Sequence, residues 1–165
     1  MTNRCETCKG LCCRYFCFQI DEPDDYDEFE DIRWYLFHEG VSVHIDEDGD
    51  WFIQITNPCK ALDENHRCTV YEDRPLICRG YSTENCELLD EDYGYQEEFT
   101  TPEQLAVYAR KTLGEETYEK EMIKHRAKAH GLSKKEMRDH MVRVGLLHPS
   151  RTDKPKKKGK KKKNK

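Results

Sequence analysis

A chain of 165 residues suits one domain with an appendage and excludes two full-sized domains. Leu, Ile, Val and Phe account for only 30 of those residues, or 18%, so composition predicts no large conventional core. Charged residues make up 37% of the chain, and apolar runs stop at three or four residues where a bilayer-spanning helix needs about 20, which excludes a transmembrane helix.

In chain order, residues 5–17 read C-E-T-C-K-G-L-C-C-R-Y-F-C. Residues 1–20 hold Arg4, Glu6, Lys9 and five cysteines in place of the apolar stretch of a secretory signal, which points to the cytoplasm. Over residues 24–38, Tyr26, Phe29, Ile32 and Leu36 or Phe37 recur at helical spacing, Trp34 and Tyr35 widen the apolar face, and Gly40 marks the stop. Val41, Val43 and Ile45, then Trp51, Ile53 and Ile55, alternate with other residues on either side of Asp48-Gly49 and predict a β-hairpin. Residues 59–86 carry four more cysteines and the chain breaker Arg74-Pro75, and read as loops and short turns. Three helices follow. The first is opened by Thr101-Pro102-Glu103-Gln104 and ends near Gly114, the second runs over 115–130 to Gly131, and the third runs from the capping box Ser133 to Glu136 as far as Gly145.

The net charge of −5 joins two unlike parts: residues 1–150 carry 18 Lys and Arg against 32 Asp and Glu, a net −14, whereas 151–165 carry 10 against one, a net +9. Self-repulsion and the lack of apolar groups predict a disordered Lys-rich tail. The expected class is therefore α+β: a small irregular metal-centred domain over residues 1–95, with a helix and a β-hairpin between two cysteine blocks. A helical extension over 96–150 packs on it, and the tail spans 151–165.

Nine cysteines are an odd number in a chain that shows no secretory signal, so metal ligation explains them better than disulfides. Structural zinc gives small peptides about 10–16 kcal/mol of apparent binding energy, comparable with the whole net stability of a domain. Cys5 and Cys8 form a C-x2-C pair that lets one tight turn present two thiolates to an ion or cluster. Cys12 and Cys13 are adjacent, and neighbouring side chains diverge, so they are expected to face different sites. Cys59, Cys68, Cys78 and Cys86 lack C-x2-C spacing and need the fold to gather them. Four cysteines from each block give eight ligands, enough for two four-thiolate centres or one larger cofactor. Cys17, between Phe16 and Phe18, reads equally as an extra ligand or a small buried hydrophobe.

The pattern Cys5-x2-Cys8-x3-Cys12-Cys13, followed by Cys59-x8-Cys68-Thr-Val-Tyr71-x2-Arg74-Pro75-x2-Cys78-Arg79 and Cys86, resembles the YkgJ-like cysteine-cluster family of zinc- or iron-chelating proteins. The resemblance covers roughly residues 5–90 and includes all eight family cysteines. It implies a metal site more firmly than an activity, since the family binds iron–sulfur or zinc and also includes the longer flagellin lysine N-methylases.

Arg74 and Arg79 are candidates to offset the negative charge of a thiolate centre from just outside the ligands. His38, His44, His125, His130, His140 and His148 are expected to be solvent-exposed, and His66, two residues before Cys68, is a minor alternative ligand. There is no G-x-x-x-x-G-K and no G-x-S-x-G, so nothing points to nucleotide use or hydrolysis. The favoured function is a cysteine-ligated metal protein with a 4Fe-4S type cluster in a structural or electron-transfer role, serving a protein or redox partner. The alternatives are a structural-zinc interaction module, or a small protein-modifying enzyme related to the lysine methylases. The chain lacks an obvious S-adenosylmethionine site, so enzyme activity is left open. The tail is expected to make at most weak, salt-sensitive contacts with RNA or an anionic surface, because the −14 core repels phosphates.

Overall fold

The alternating apolar residues on either side of Asp48-Gly49 do form a hairpin, and a strand is added on each side of it. In a computed structural model that describes residues 8–81 and 94–149, the elements are β1 (Tyr15–Ile20), α1 (Tyr26–Tyr35), β2 (Val41–Ile45), β3 (Trp51–Thr56), α2 (Leu76–Gly80), β4 (Glu97–Phe99), α3 (Pro102–Leu113), α4 (Glu115–His130) and α5 (Lys134–Arg143). The four strands form one antiparallel sheet in the order β1-β3-β2-β4. The class is α+β, as composition and patterning predict. The tail at 151–165 lies outside the described residues.

Register decides which side chains share a face. Phe18, Ile53, Val43 and Phe99 lie in one row across the sheet, and Ile20, Trp51, Ile45 and Glu97 in the next. That face carries the apolar core of the first unit, Met1–Glu115. There α1 packs against α3 and buries Tyr26, Phe29 and Ile32, while α3 buries Leu105 and Ala109. Phe29, Trp51, Phe99 and Tyr108 form a four-ring cluster with centroids 5.2–6.3 Å apart. The core is thus built largely from aromatic rings. The second unit, Glu116–Lys165, buries Tyr118, Met122, Ile123 and Ala127 on α4 and Met137 and Met141 on α5.

Helix ends follow the local chemistry. Asp25 accepts from the Glu28 N–H at the start of α1, and capping boxes at Thr101/Gln104 and Ser133/Glu136 open α3 and α5. Among the described residues, no helix is long and apolar enough to cross a membrane.

The opposite sheet face corrects one expectation. His44 is not solvent-exposed: it is 6% accessible, stacked on Phe52 at 5.4 Å and against Tyr95 at 4.2 Å. Its place on a central strand, one step from buried Val43, overrides its polarity. Burial lowers its pKa below the usual imidazole value, with the charges of Glu98 and Asp46 opposing that shift. The unfolded chain therefore binds this proton more readily than the folded one. The His44 contribution is fully present above about pH 6.5 and is lost progressively as pH falls below it. Melting curves between about pH 7 and pH 5 should show a steeper loss for the native protein than for His44→Phe; parallel losses would contradict this.

Candidate metal centre

The first cysteine block leads directly into β1, and β3 leads directly into the second block. Tyr15 pairs with Thr56, so both blocks emerge at one end of the sheet. The main chain joins them there, with Cys59 N–H donating to the Cys13 carbonyl at 2.7 Å.

The first block is shaped by Gly10, whose φ of 68° lies in the left-handed region that glycine occupies without steric cost. A Cβ at that position would come within 2.8 Å of Leu62 Cδ1, so the second block closes against the missing side chain. Residues Leu11–Cys13 then make a 3-10 turn, and Cys13 N–H donates to the Gly10 carbonyl at 3.0 Å. Arg14 follows, with Nε donating to the Lys9 carbonyl at 3.0 Å and Nη2 lying 3.1 Å from His66 Nδ1. His66 is therefore turned toward Arg14. It holds a positive φ of 61°, the only non-glycine described residue that does.

In the second block Asp63 closes a loop. Its Oδ1 accepts from Asn65 and Arg67 N–H at 2.9 and 2.8 Å, and its own N–H donates to the Arg67 carbonyl at 2.9 Å. That loop brings Cys68 back into a bridge with Leu62, and Thr69 N–H donates to the Ala61 carbonyl at 2.8 Å. The eight residues between Cys59 and Cys68 are thus the length of a closed loop that returns Cys68 to the residues following Cys59. Ala61 N–H donates to Cys59 Sγ, 3.4 Å away.

The segment from Tyr71 to Arg79 forms a clasp. A 3-10 turn over Tyr71–Asp73 is followed by extended Arg74 and Pro75, after which α2 carries Cys78. The Arg74 guanidinium lies over the Tyr71 ring, 3.8 Å from its centroid, and its Nε donates to the Tyr71 carbonyl at 3.0 Å. Arg79 donates to the carbonyls of Arg74, at 2.9 Å, and of Glu72. Both guanidiniums thus brace the main chain that presents Cys78.

Together these devices bring Cys12, Cys13, Cys59, Cys68 and Cys78 to one region. Partial burial pushes the Cys13 thiol up, a hydrogen bond with Cys12 pulls it back, and repulsion from Cys59, Cys68 and Cys78 adds to the rise. Cys8 lies two residues before Gly10, at the start of the described chain. Cys17 stands apart on β1, paired with Gln54 and on the sheet face opposite Phe16 and Phe18. Cys5 and Cys86 lie outside the described residues, and none of the described cysteines is in a disulfide.

The donor set is soft thiol sulfur, which fits zinc or an iron–sulfur cluster. Among the described residues no three His, Cys, Asp or Glu side chains already close on a single ion. Sequence reasoning missed Gly10, Arg14 and Asp63. A glycine between two cysteine pairs and an arginine directly after Cys13 were the available signals.

The family profile described as "Putative zinc- or iron-chelating domain" matches residues 4–106, more than half of the chain. Between Cys8 and Cys12 the chain has three residues where the family label, CxxCxxCC, writes two. No curated protein and no solved structure matches. On the profile match, the chain belongs to the CxxCxxCC family of zinc- or iron-chelating domains.

Proposed function

We propose that the two cysteine blocks bind an iron–sulfur cluster, of 4Fe-4S type, which holds this end of the fold together and serves a structural or electron-transfer role. One observation carries the reading: among the described residues, no side chain in 8–14 or 57–81 is buried. Fixing a backbone costs about 1–2 kcal/mol per residue, and these segments have only the partial burial of Leu11, Ala61 and Leu62 to set against that cost. Bonds from thiolates to a metal centre are the interaction the segments are equipped to make, and at about 10–16 kcal/mol such a centre is large enough to order them.

Iron–sulfur is preferred to zinc because of the vicinal pair. One C-x2-C and widely spaced partners suit a cluster whose irons present ligand positions at several corners, whereas one zinc ion needs four sulfurs in a single tetrahedron. One 4Fe-4S cluster takes four thiolates, so the eight candidate ligands, Cys5, Cys8, Cys12, Cys13, Cys59, Cys68, Cys78 and Cys86, are enough for two such clusters, with Arg74 and Arg79 positioning the Cys78 segment. Protein isolated without oxygen should be brown and contain iron and acid-labile sulfide, and Cys78→Ala should bleach it. A colourless, folded preparation holding stoichiometric zinc would overturn the cluster and leave a structural-zinc module.

A further inference from the structure

The charge of the chain is divided between its two units. Met1–Glu115 carries 10 Lys and Arg against 27 Asp and Glu, a net −17, whereas Glu116–Lys165 carries 18 against six, a net +12. The acidity that argues against phosphate contact therefore belongs to the first unit. The second unit concentrates its cations beyond Glu121: residues 122–149 hold seven Lys and Arg against Glu136 and Asp139, and the Lys-rich tail comes next in the chain.

These cations stand on two helices with a fixed turn between them. Gly131, at φ 64°, ends α4: its N–H donates to the Lys128 carbonyl at 3.3 Å, and Leu132 N–H donates to the Ala127 carbonyl at 2.9 Å. Ser133 then opens α5 in a capping box that occupies Glu136. Two helices joined by three residues, the first of them glycine, have the connection of a helix-turn-helix. On α5, Met137 and Met141 are buried, while Lys134, Lys135 and Arg138, at three- and four-residue spacing, share a separate face. Lys134 and Lys135 are exposed and lie in the first turn, where the helix dipole disfavours cations. Among the described residues, neither they nor Arg126, Lys128, Arg138 and Arg143 make an ion pair. A cluster of cations without ion-pair partners, set in an otherwise acidic chain, is complementary to a polyanion.

We propose that the second unit binds double-stranded DNA, with α5 in the major groove, Lys134, Lys135 and Arg138 on the DNA, and the tail adding phosphate contacts. The choice of polyanion follows from the helix. The B-form major groove, about 12 Å wide, admits a helix about 10–12 Å across, whereas the major groove of duplex RNA is too narrow for side chains to read. A membrane surface has no groove for α5 to enter. The inference does not rest on the metal centre, whose cysteines all belong to the first unit.

The test is fluorescence anisotropy of the full-length, metal-loaded protein on a labelled mixed-sequence DNA duplex and on the same sequence as an RNA duplex, with co-sedimentation on vesicles of equal parts phosphatidylserine and phosphatidylcholine. The DNA complex should weaken on the order of a thousandfold between about 50 and 200 mM salt, as expected for about six phosphate contacts. DNA should bind about tenfold more tightly than RNA. Lys134→Gln with Lys135→Gln changes two exposed residues without ion-pair partners and should fold. It should lower the salt slope by about two and remove the preference for DNA over RNA. Absent DNA binding at about 50 mM salt, equal binding of the DNA and RNA duplexes by the native protein, or a preference for the vesicles would overturn the proposal. So would a salt slope unchanged in the double variant, since the tail would then bind alone.

Discussion

Stripping the metal from the native protein is expected to release residues 8–14 and 57–81 while the sheet stays folded. The two regions are stabilised by different physics. Within the first unit, the described sheet and helices bury Phe29, Val43, Trp51, Ile53, Phe99 and Leu105 without help from the cysteines, whereas no side chain of residues 8–14 or 57–81 is fully buried. Losing a centre worth on the order of 10 kcal/mol should remove amide protection from those segments almost completely. Hydrogen exchange of metal-free protein reads this directly. Protection should persist in β2 and β3 and vanish around Cys13, Cys59 and Cys68. Uniform loss along the chain would show that the sheet depends on the metal, and unchanged protection would show that the segments do not.

Trp51→Ala should have the converse effect. Trp51 is 2% accessible and touches Phe29, Phe99 and Tyr108 with ring centroids 6.2, 5.8 and 5.8 Å away. Removing an indole from such a cluster costs about 3–5 kcal/mol through lost burial and the cavity left behind. Denaturant unfolding should show a midpoint shift of that size. Metal content per folded molecule should hold, because Trp51 lies at the Ile20 end of the β1 register and the cysteine blocks join at the Tyr15 end. A loss below about 1 kcal/mol would mean that the ring cluster is not the core of this unit.

The hairpin, α1 and the three C-terminal helices were legible in the sequence because period, capping residues and glycine stops agreed with one another. Strand β1 was hidden inside the first cysteine block. Phe16, Phe18 and Ile20 alternate with Cys17 and Gln19, a period-two signal that was passed over while Cys17 was weighed only as a ligand or a small buried hydrophobe. Composition understated the core because Leu, Ile, Val and Phe were counted, whereas this fold buries Trp51, Tyr26, Tyr118 and three methionines. His44 was misjudged for a related reason: its exposure was inferred from residue type, but a strand with buried neighbours on both sides decides it. The gathering of Cys13, Cys59, Cys68 and Cys78 could be foreseen only as a need, since the hydrogen bond between Cys59 and Cys13 and the Asp63 loop are long-range or turn geometry that no periodicity encodes.

The central claim is that both cysteine blocks build one centre, and Cys59→Ser tests it most directly. The serine keeps the main-chain bond to the Cys13 carbonyl and removes only a sulfur. If the centre is shared, amide exchange should accelerate in residues 10–14 as well as 57–81, and metal content should fall. Acceleration confined to 57–81 with full metal content would contradict the account.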